Sequence, residues 1–318
     1  MAVGYGMLGH VGWDAQNSYG TSKVTSQHFI PFISETFDWQ HEPIKETNMY
    51  GRFGESPFHA GPRFVEGEIQ MESHPIEMGH LLKSVFGQVT TTSAAGTQTH
   101  AFLPRNTTDW DDRAAGQPAT VEVNRNVGSA ALYYDMVGSQ LTLQIQNGEL
   151  LSVTWQGMGA GFTRAIAATP SIPAAKPFRW AQMSCQYNGW AITDMRQATI
   201  TVNNQLERVF TLGQSNTPYR IKRTGEVMVA VSGVMQFAQH SFWLDFESYT
   251  ARPFVLNFAG QDTPYNLVLD VPLLAFNKFS PTMGGKGLVE VSFAGNGQFS
   301  TTSGTALQAT LVNTQTYY

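Results

Sequence analysis

Apolar and polar residues alternate along much of this chain. Residues 64–72 read FVEGEIQME, with Val65, Ile69 and Met71 on one side and Glu66, Glu68, Gln70 and Glu72 on the other. A period of two marks a strand with one buried face. Residues 140–155, QLTLQIQNGELLSVTW, read as two strands about an Asn147-Gly148 turn signal. A two-residue loop would pair Leu143 with Ser152 and put Leu151, Val153 and Trp155 on the face opposite Leu141, Leu143 and Ile145. A three-residue loop over 146–148, with Gly148 left-handed, pairs Leu143 with Leu151 and Leu141 with Val153, and is the expected register. Further strands are expected over 226–231, 254–258, 267–274 and 288–293.

One stretch carries the helical period instead. Pro75 suits a first turn, Met78, Leu81, Leu82 and Val85 follow an i, i+3, i+4, i+7 stripe, and Gly87 can end it. A second helix is expected near residues 242–249, where Phe242, Asp245, Phe246 and Tyr249 share a face. The Gly-rich start to about residue 25, the Pro/Gly-rich stretch 50–62 and a polar tail from Ser300 read as irregular.

The chain also repeats itself in outline. Ile33-Ser34-Glu35 recurs as Ile192-Thr193-Asp194, Gly54-Glu55-Ser56 as Gly213-Gln214-Ser215, and Gly67-Glu68-Ile69 as Gly225-Glu226-Val227, at offsets near half the 318-residue length. Collinear anchors at one offset point to a tandem duplication. The Pro/Ala-rich segment 167–177 sits where the two copies should join.

Composition narrows the surface chemistry. Only 14% of residues are charged, the formal net charge is -5 and the pI is about 5.9. An acidic, sparsely charged protein is a poor partner for phosphate neutralisation, so any contact with nucleic acid should be loose. With 42% hydrophobic and 12% aromatic residues the chain can fill a large core. The remaining surface, rich in Gly, Thr, Ser, Gln and Asn, suits polar contact with other protein. A single cysteine, Cys185, excludes an internal disulfide and reads as a small buried residue. No run of 18 apolar residues is present, and the start has no basic stretch or apolar run of signal-peptide kind, so a protein made in the cytosol without a membrane-spanning helix is expected.

Candidate chemistry is sparse. Gly4-Tyr5-Gly6-Met7-Leu8-Gly9 spells a dinucleotide fingerprint, but the motif needs a preceding strand and reads here as an arm. His59, His74, His80 and His100 have no metal-ligand spacing. Asp109-Trp110-Asp111-Asp112 is the densest acidic cluster and reads as a solvated loop, and Asn106-Thr107-Thr108 matches a glycosylation acceptor without a secretion signal to use it. The seven tryptophans do not accompany basic clusters, as a platform for single strands requires. Glu66, Glu68 and Glu72 point the same way along one strand, which makes an acidic wall rather than an acid/base pair. Neither an enzyme nor a cofactor is expected.

Several segments taken together resemble the tail tube proteins, or major tail proteins, of long-tailed bacteriophages. They are FISETF from Phe32, then GPRFVEGEIQMESHPIEMGHLLKSVFG and THAFLPR, preceded by the step Tyr19-Gly20-Thr21 and followed much later by LVLDVPLLAF and GGKGLVEVSF. The similarity is close over residues 19–165 and looser over 190–302. It implies a mainly β fold of two tandem β-sandwich or barrel domains, each flanked by a short helix. The expected boundaries are an arm over 1–27, domains over 28–166 and 178–302 about a linker at 167–177, and a tail over 303–318.

The resemblance further implies a virion structural protein, assembled in the host cytoplasm, whose stacked rings form a non-contractile tail tube that conducts double-stranded DNA during ejection. Rings of that family are sixfold, so two domains per chain would give rings of three chains, with six as the alternative. An acidic lumen lined by Glu66, Glu68, Glu72 and Glu226 would keep DNA from sticking. Tyr5, Trp13, Tyr19, Phe53, Phe58, Tyr317 and Tyr318 are expected to make contacts between rings. Partners beyond the chain itself would be a tape measure and a tail terminator. Competing readings are a capsid decoration protein, a carbohydrate-binding β-sandwich and an outer-membrane barrel.

Overall fold

A computed structural model describes residues 5–16, 18–23, 26–50, 54–105, 118–213, 215–237, 241–283 and 287–318. The chain is mainly β. In its first half, β1 (His10–Ala15) and β2 (His28–Ile30) precede the short β3 (Ser34–Glu35) and β4 (Asp38–His41) and a small hairpin of β5 (Ile44–Lys45) and β6 (Phe58–His59). Next come β7 (Arg63–Glu72), helix α1 (Met78–Phe86), and the hairpin of β8 (Gly87–Ala94) and β9 (Thr97–Pro104). The half ends with β10 (Ala119–Asn124), the long β11 (Ala130–Gln146), β12 (Ser152–Gly159) and β13 (Gly161–Ala165).

No regular element occupies 166–177. The second half then runs through β14 (Met183–Tyr187), β15 (Trp190–Ile192), β16 (Met195–Asn203), β17 (Leu206–Val209) and β18 (Arg220–Arg223). It finishes with β19 (Met228–Gln236), α2 (Ser241–Glu247), β20 (Arg252–Ala259), the long β21 (Asn266–Thr282), β22 (Glu290–Gly297) and β23 (Gln308–Asn313).

Strand pairing in the first half is repeated in the second. β3 and β4 lie along β7, β7 along β12, and β12 along the later part of β11. The earlier part of β11 leaves that sheet to pair with β10 and β13, and β1 lies between β10 and β2. Likewise β16 lies along β19, β19 along β22, and β22 along the later part of β21. The earlier part of β21 pairs with β20 and β23, and β14 lies between β20 and β15. Trp39 opposite Val65 thus has its counterpart in Val202 opposite Val229. The β11–β12 bulge at Gly138/Gln140 recurs between β21 and β22 at Phe276/Lys278.

The halves meet edge to edge, β11 pairing with β16 from Gln140↔Asn203 to Gln146↔Gln197. One continuous sheet therefore runs β3/β4, β7, β12, β11, β16, β19, β22, β21. The β8–β9 hairpin has no counterpart after α2, and its β9 pairs with β23 of the other half.

The apolar side of this sheet faces the core. On β7, Val65, Ile69 and Met71 are fully buried, and Gly67 leaves room for the Phe37 ring, which a Cβ there would meet at 2.2 Å. Trp155 of β12 meets Trp13 of β1 edge-on at 5.1 Å, which brings the two sheets of the first half face to face. In the second half Phe254 of β20 and Phe293 of β22 do the same at 6.4 Å. Helix α1 packs its buried stripe Met78, Leu81, Leu82 and Val85 against β11, and α2 packs on β21. Gly87 stops α1 in the left-handed region at φ 79, where its N–H donates to the Lys83 carbonyl.

Several expectations are corrected. The start is not wholly irregular, because β1 is a strand, and the tail from Ser300 contains β23. Expected strand 226–231 is displaced to β19 and 288–293 to β22, while 254–258 and 267–274 lie within the longer β20 and β21. The hairpin at Asn147-Gly148 keeps all six apolar residues on one face but pairs Leu143 with Val153 and Leu141 with Trp155, two residues from the expected register. The cause is that Leu151 is claimed elsewhere. Its carbonyl accepts from Ser73 N–H and its N–H donates to Phe178, while Leu150 bridges to Arg179. The repeat anchors are also out of register, since Ser34-Glu35 corresponds by pairing to Gln197-Ala198 rather than to Thr193-Asp194. Phe53, Asn106-Thr107-Thr108, Asp109-Trp110-Asp111-Asp112 and Gly4 lie outside the described residues.

Candidate assembly surface

Residues directly opposite in neighbouring strands share a face, so the outer face of the eight-position sheet can be read across its ladders. One row runs Ser34, Gln70, Thr154, Thr142, Thr201, Ala230, Asn296. Another runs Glu72, Ser152, Gln144, Thr199, Ser232, Ala294, Lys278. Short uncharged polar groups dominate, and they bond to one another: Thr142 and Thr201 hydroxyls lie 3.2 Å apart, and Asn203 Nδ2 donates to Gln140 Oε1 at 2.9 Å. Asp38, Glu66, Glu68, Glu72, Glu290 and Lys278 carry charge on this face, and two of the acids are ion-paired, Glu290 with Arg196 at 2.6 Å and Glu66 with Arg208.

Three of the four expected acids are on it. Glu68 accepts from Gln156 Nε2 at 2.9 Å, directly across the β7–β12 ladder, and Glu72 ends β7 opposite Ser152. Glu66 is paired with Arg208 of β17 at 2.5 Å, so its charge is balanced within the subunit. Arg208 also lies over the Phe64 ring at 4.1 Å. Glu226 is exposed in the turn before β19 and belongs to no ladder.

The β17–β18 hairpin that supplies Arg208 was not legible as part of this surface. It folds across the end of the first half's sheet, where Ile221 is fully buried against Val137 of β11 and Met158 of β12. Asn216 extends the contact, its carbonyl accepting from Arg63 N–H at 2.7 Å.

The aromatic residues expected between rings divide. Tyr5, Phe58 and Tyr317 are exposed. Tyr19 is half-buried with its hydroxyl 3.5 Å from the Pro218 carbonyl. Trp13 is a core residue, which leaves it no surface for a neighbour. Tyr318 is enclosed by its own subunit. Its hydroxyl donates to the Ile76 carbonyl at 2.6 Å, and its ring meets His80 and His100 edge-on. Lys83 Nζ donates to the Tyr318 carbonyl oxygen. Gly79 makes the fit possible, because a Cβ there would lie 2.0 Å from Tyr318 Cζ.

The titratable groups in this region are structural. Burial holds the imidazoles of His28, His80 and His100 below their usual range, so they are neutral near pH 7. Glu77 is buried, and that burial pushes its carboxyl up to about 7. Cys185 is buried and its thiol is pushed up to about 12, which makes it unreactive. Among the described residues no group of three or more His, Cys, Asp or Glu could hold a metal ion, and no helix is long and apolar enough to cross a membrane.

A β-sandwich that packs many of its large aromatics inside and whose broadest feature is a polar sheet face suits a structural role. The family comparison agrees: a family model described as phage tail tube protein matches residues 8–297 of the 318. The chain belongs to that family. It is a structural, non-enzymatic component of the virion tail, made to assemble with itself and to contact other tail proteins. No curated protein matches it.

Proposed function

We propose that three copies of this chain close into a ring and that stacked rings form the tail tube through which double-stranded DNA leaves for the host. The observation that carries this reading is the eight-position sheet, polar on one face and built from two four-position units of the same pairing pattern. A tandem duplication with one tube domain in each half accounts for the repeat, and three such chains supply six equivalent positions. The polar face would line the lumen, where Asp38, Glu68 and Glu72 repel phosphate, Glu290 adds little because Arg196 balances it, and few groups can grip DNA. Glu226 would add to it from the loop before β19, and Glu66 would contribute little charge because Arg208 balances it.

Tyr5, Tyr19 and Tyr317 remain aromatic candidates for contacts between rings, and Phe58, also exposed, would instead serve contact within a ring, with tape measure and tail terminator as neighbours at the tube's centre and end. The tail would be of the non-contractile kind. Electron microscopy of the purified chain tests the proposal: threefold rings or tubes with Glu68 and Glu72 on the inner wall are expected. Discrete particles without a lumen, or rings of six whole chains, would overturn it.

A further inference from the structure

We propose that the seam between neighbouring chains reproduces the seam inside the chain, the later part of β21 pairing with β3–β4 of a second copy while the β5–β6 hairpin of that copy lies across the β21 end of the sheet. The inference rests on the ring reading above and specifies its interface. The internal seam has two parts: the ladder of β11 with β16, and the β17–β18 hairpin laid over the first half's sheet. By strand pairing, β21 is the counterpart of β11, β3–β4 of β16, and β5–β6 of β17–β18. Among the described residues, the later part of β21 has β22 on one side and no strand on the other, and β3–β4 have only β7. The two open edges of the chain are therefore the two sides of a seam it already contains once.

Three pairs of counterparts show the same thing in burial. Phe58 is 57% exposed, whereas its counterpart Ile221 is 0% exposed under the internal hairpin. Met228 is 54% exposed and its counterpart Phe64, covered by Arg208, only 6%. Met283 is 83% exposed and its counterpart Ile145 only 3%. Each exposed apolar side chain sits where the copied seam would cover it, with Phe58 and Met283 on opposite partners of that seam.

The main chain fits as well. Asn147 donates its N–H to the Arg196 carbonyl and Asn204 to the Ser139 carbonyl, so odd-numbered residues of β11 turn their main-chain groups to β16. Transferred to the open edges, the bonded pairs are Phe279 with Trp39, Pro281 with Phe37 and Met283 with Glu35. Pro281 has no N–H to give. It falls opposite Phe37, whose carbonyl already accepts from Arg125 Nη2 at 2.8 Å and Tyr133 Oη at 3.3 Å, and whose N–H already donates to Glu35 Oε2 at 3.0 Å. The Pro281–Phe37 pair therefore makes neither ladder bond: Phe37 is already satisfied within its own chain, and the Pro281 carbonyl is left to water. Lys278 and Asp38, both exposed, fall one diagonal step apart across the seam. The contact is head to tail, the kind that closes into rings.

Ser280 and Asp38 are the counterparts of Thr142 and Thr201, which stand directly opposite with hydroxyls 3.2 Å apart. The double variant Asp38→Cys/Ser280→Cys, assembled under reducing conditions and then oxidised, should give covalent oligomers up to the ring size on a non-reducing gel, while each single variant should not. Tubes of the double variant that cross-link no more than the singles would overturn the seam and leave the tube standing. Covalent oligomers that never form rings or tubes would support the seam and count against the tube. As a second measurement, Phe58→Asp alters a side chain the isolated subunit does not bury. It should leave the subunit's circular dichroism and melting unchanged while raising the concentration needed for assembly about tenfold or more. Assembly at the unaltered concentration would overturn the placement of the hairpin.

Discussion

Replacing Glu77 with Gln should change how stability depends on pH. Glu77 precedes α1 with 3% of its surface exposed, and neither side-chain oxygen has a hydrogen-bond partner outside the residue itself. Burial raises its pKa from an ordinary 4.5 to about 7. Between those values the unfolded chain releases the proton while the folded chain keeps it. The unfolded state then binds fewer protons, so the group's contribution to stability falls as pH rises through that window and levels off above about pH 7. At roughly 1.4 kcal/mol per pH unit the loss comes to about 3 kcal/mol. Glu77→Gln has nearly the same shape and no charge to bury, so the variant should match the wild type near pH 4 and exceed it by about 3 kcal/mol at pH 8. Urea unfolding of the unassembled chain at both pH values measures the difference, and taking wild type minus variant cancels the titration of the buried histidines. A stability difference between the two proteins that is the same at pH 4 and pH 8 would refute the reasoning.

Gly79→Ala places a methyl group against the Tyr318 ring and should cost about 1–3 kcal/mol by overpacking; it should also speed amide exchange over residues 308–318, and unchanged exchange would count against the tight fit. Asn204→Ala removes the side chain that donates to the carbonyls of Val85 and Gly138 at 2.8 and 2.9 Å and accepts from Arg223 at 3.1 Å, all in the interior. It should cost about 3 kcal/mol, because the buried carbonyls lose donors that water cannot replace; a cost below about 1 kcal/mol in the same urea assay would contradict it.

The half-buried elements could be read from the sequence. β7 alternates because one face meets the core and the other does not, and α1 shows its stripe and its stop because its buried side is narrow and Gly87 takes the left-handed turn. β1 hid because both its faces are covered, with Val11, Gly12 and Trp13 all buried in succession, so no alternation is left to find. β23 does alternate, burying Ala309, Leu311 and Asn313, but its Thr, Gln and Asn gave it the composition of a tail. The hairpin register failed by two because a third and a fourth segment took over Leu151, which no local pattern announces. The acidic row on β7 was legible, whereas the pairing of Glu66 with Arg208 was not, because it joins residues 142 apart through a hairpin whose position depends on the repeat. The repeat itself was visible only as an approximate spacing; its register became clear from the ladders, since insertions such as β8–β9 shift the counterparts along the chain.

That hairpin has a consequence for the chain as it is made. β9 finds its second neighbour only in β23, more than 200 residues later. At translation rates of about 5–20 residues per second the edge of β9 stands open on the ribosome for roughly 10–40 seconds after its own hairpin can close. Pro104 at its end and the Thr- and Ser-rich β8 beside it keep that waiting edge from being a sticky one. Completion of this sheet is thereby tied to synthesis of β23.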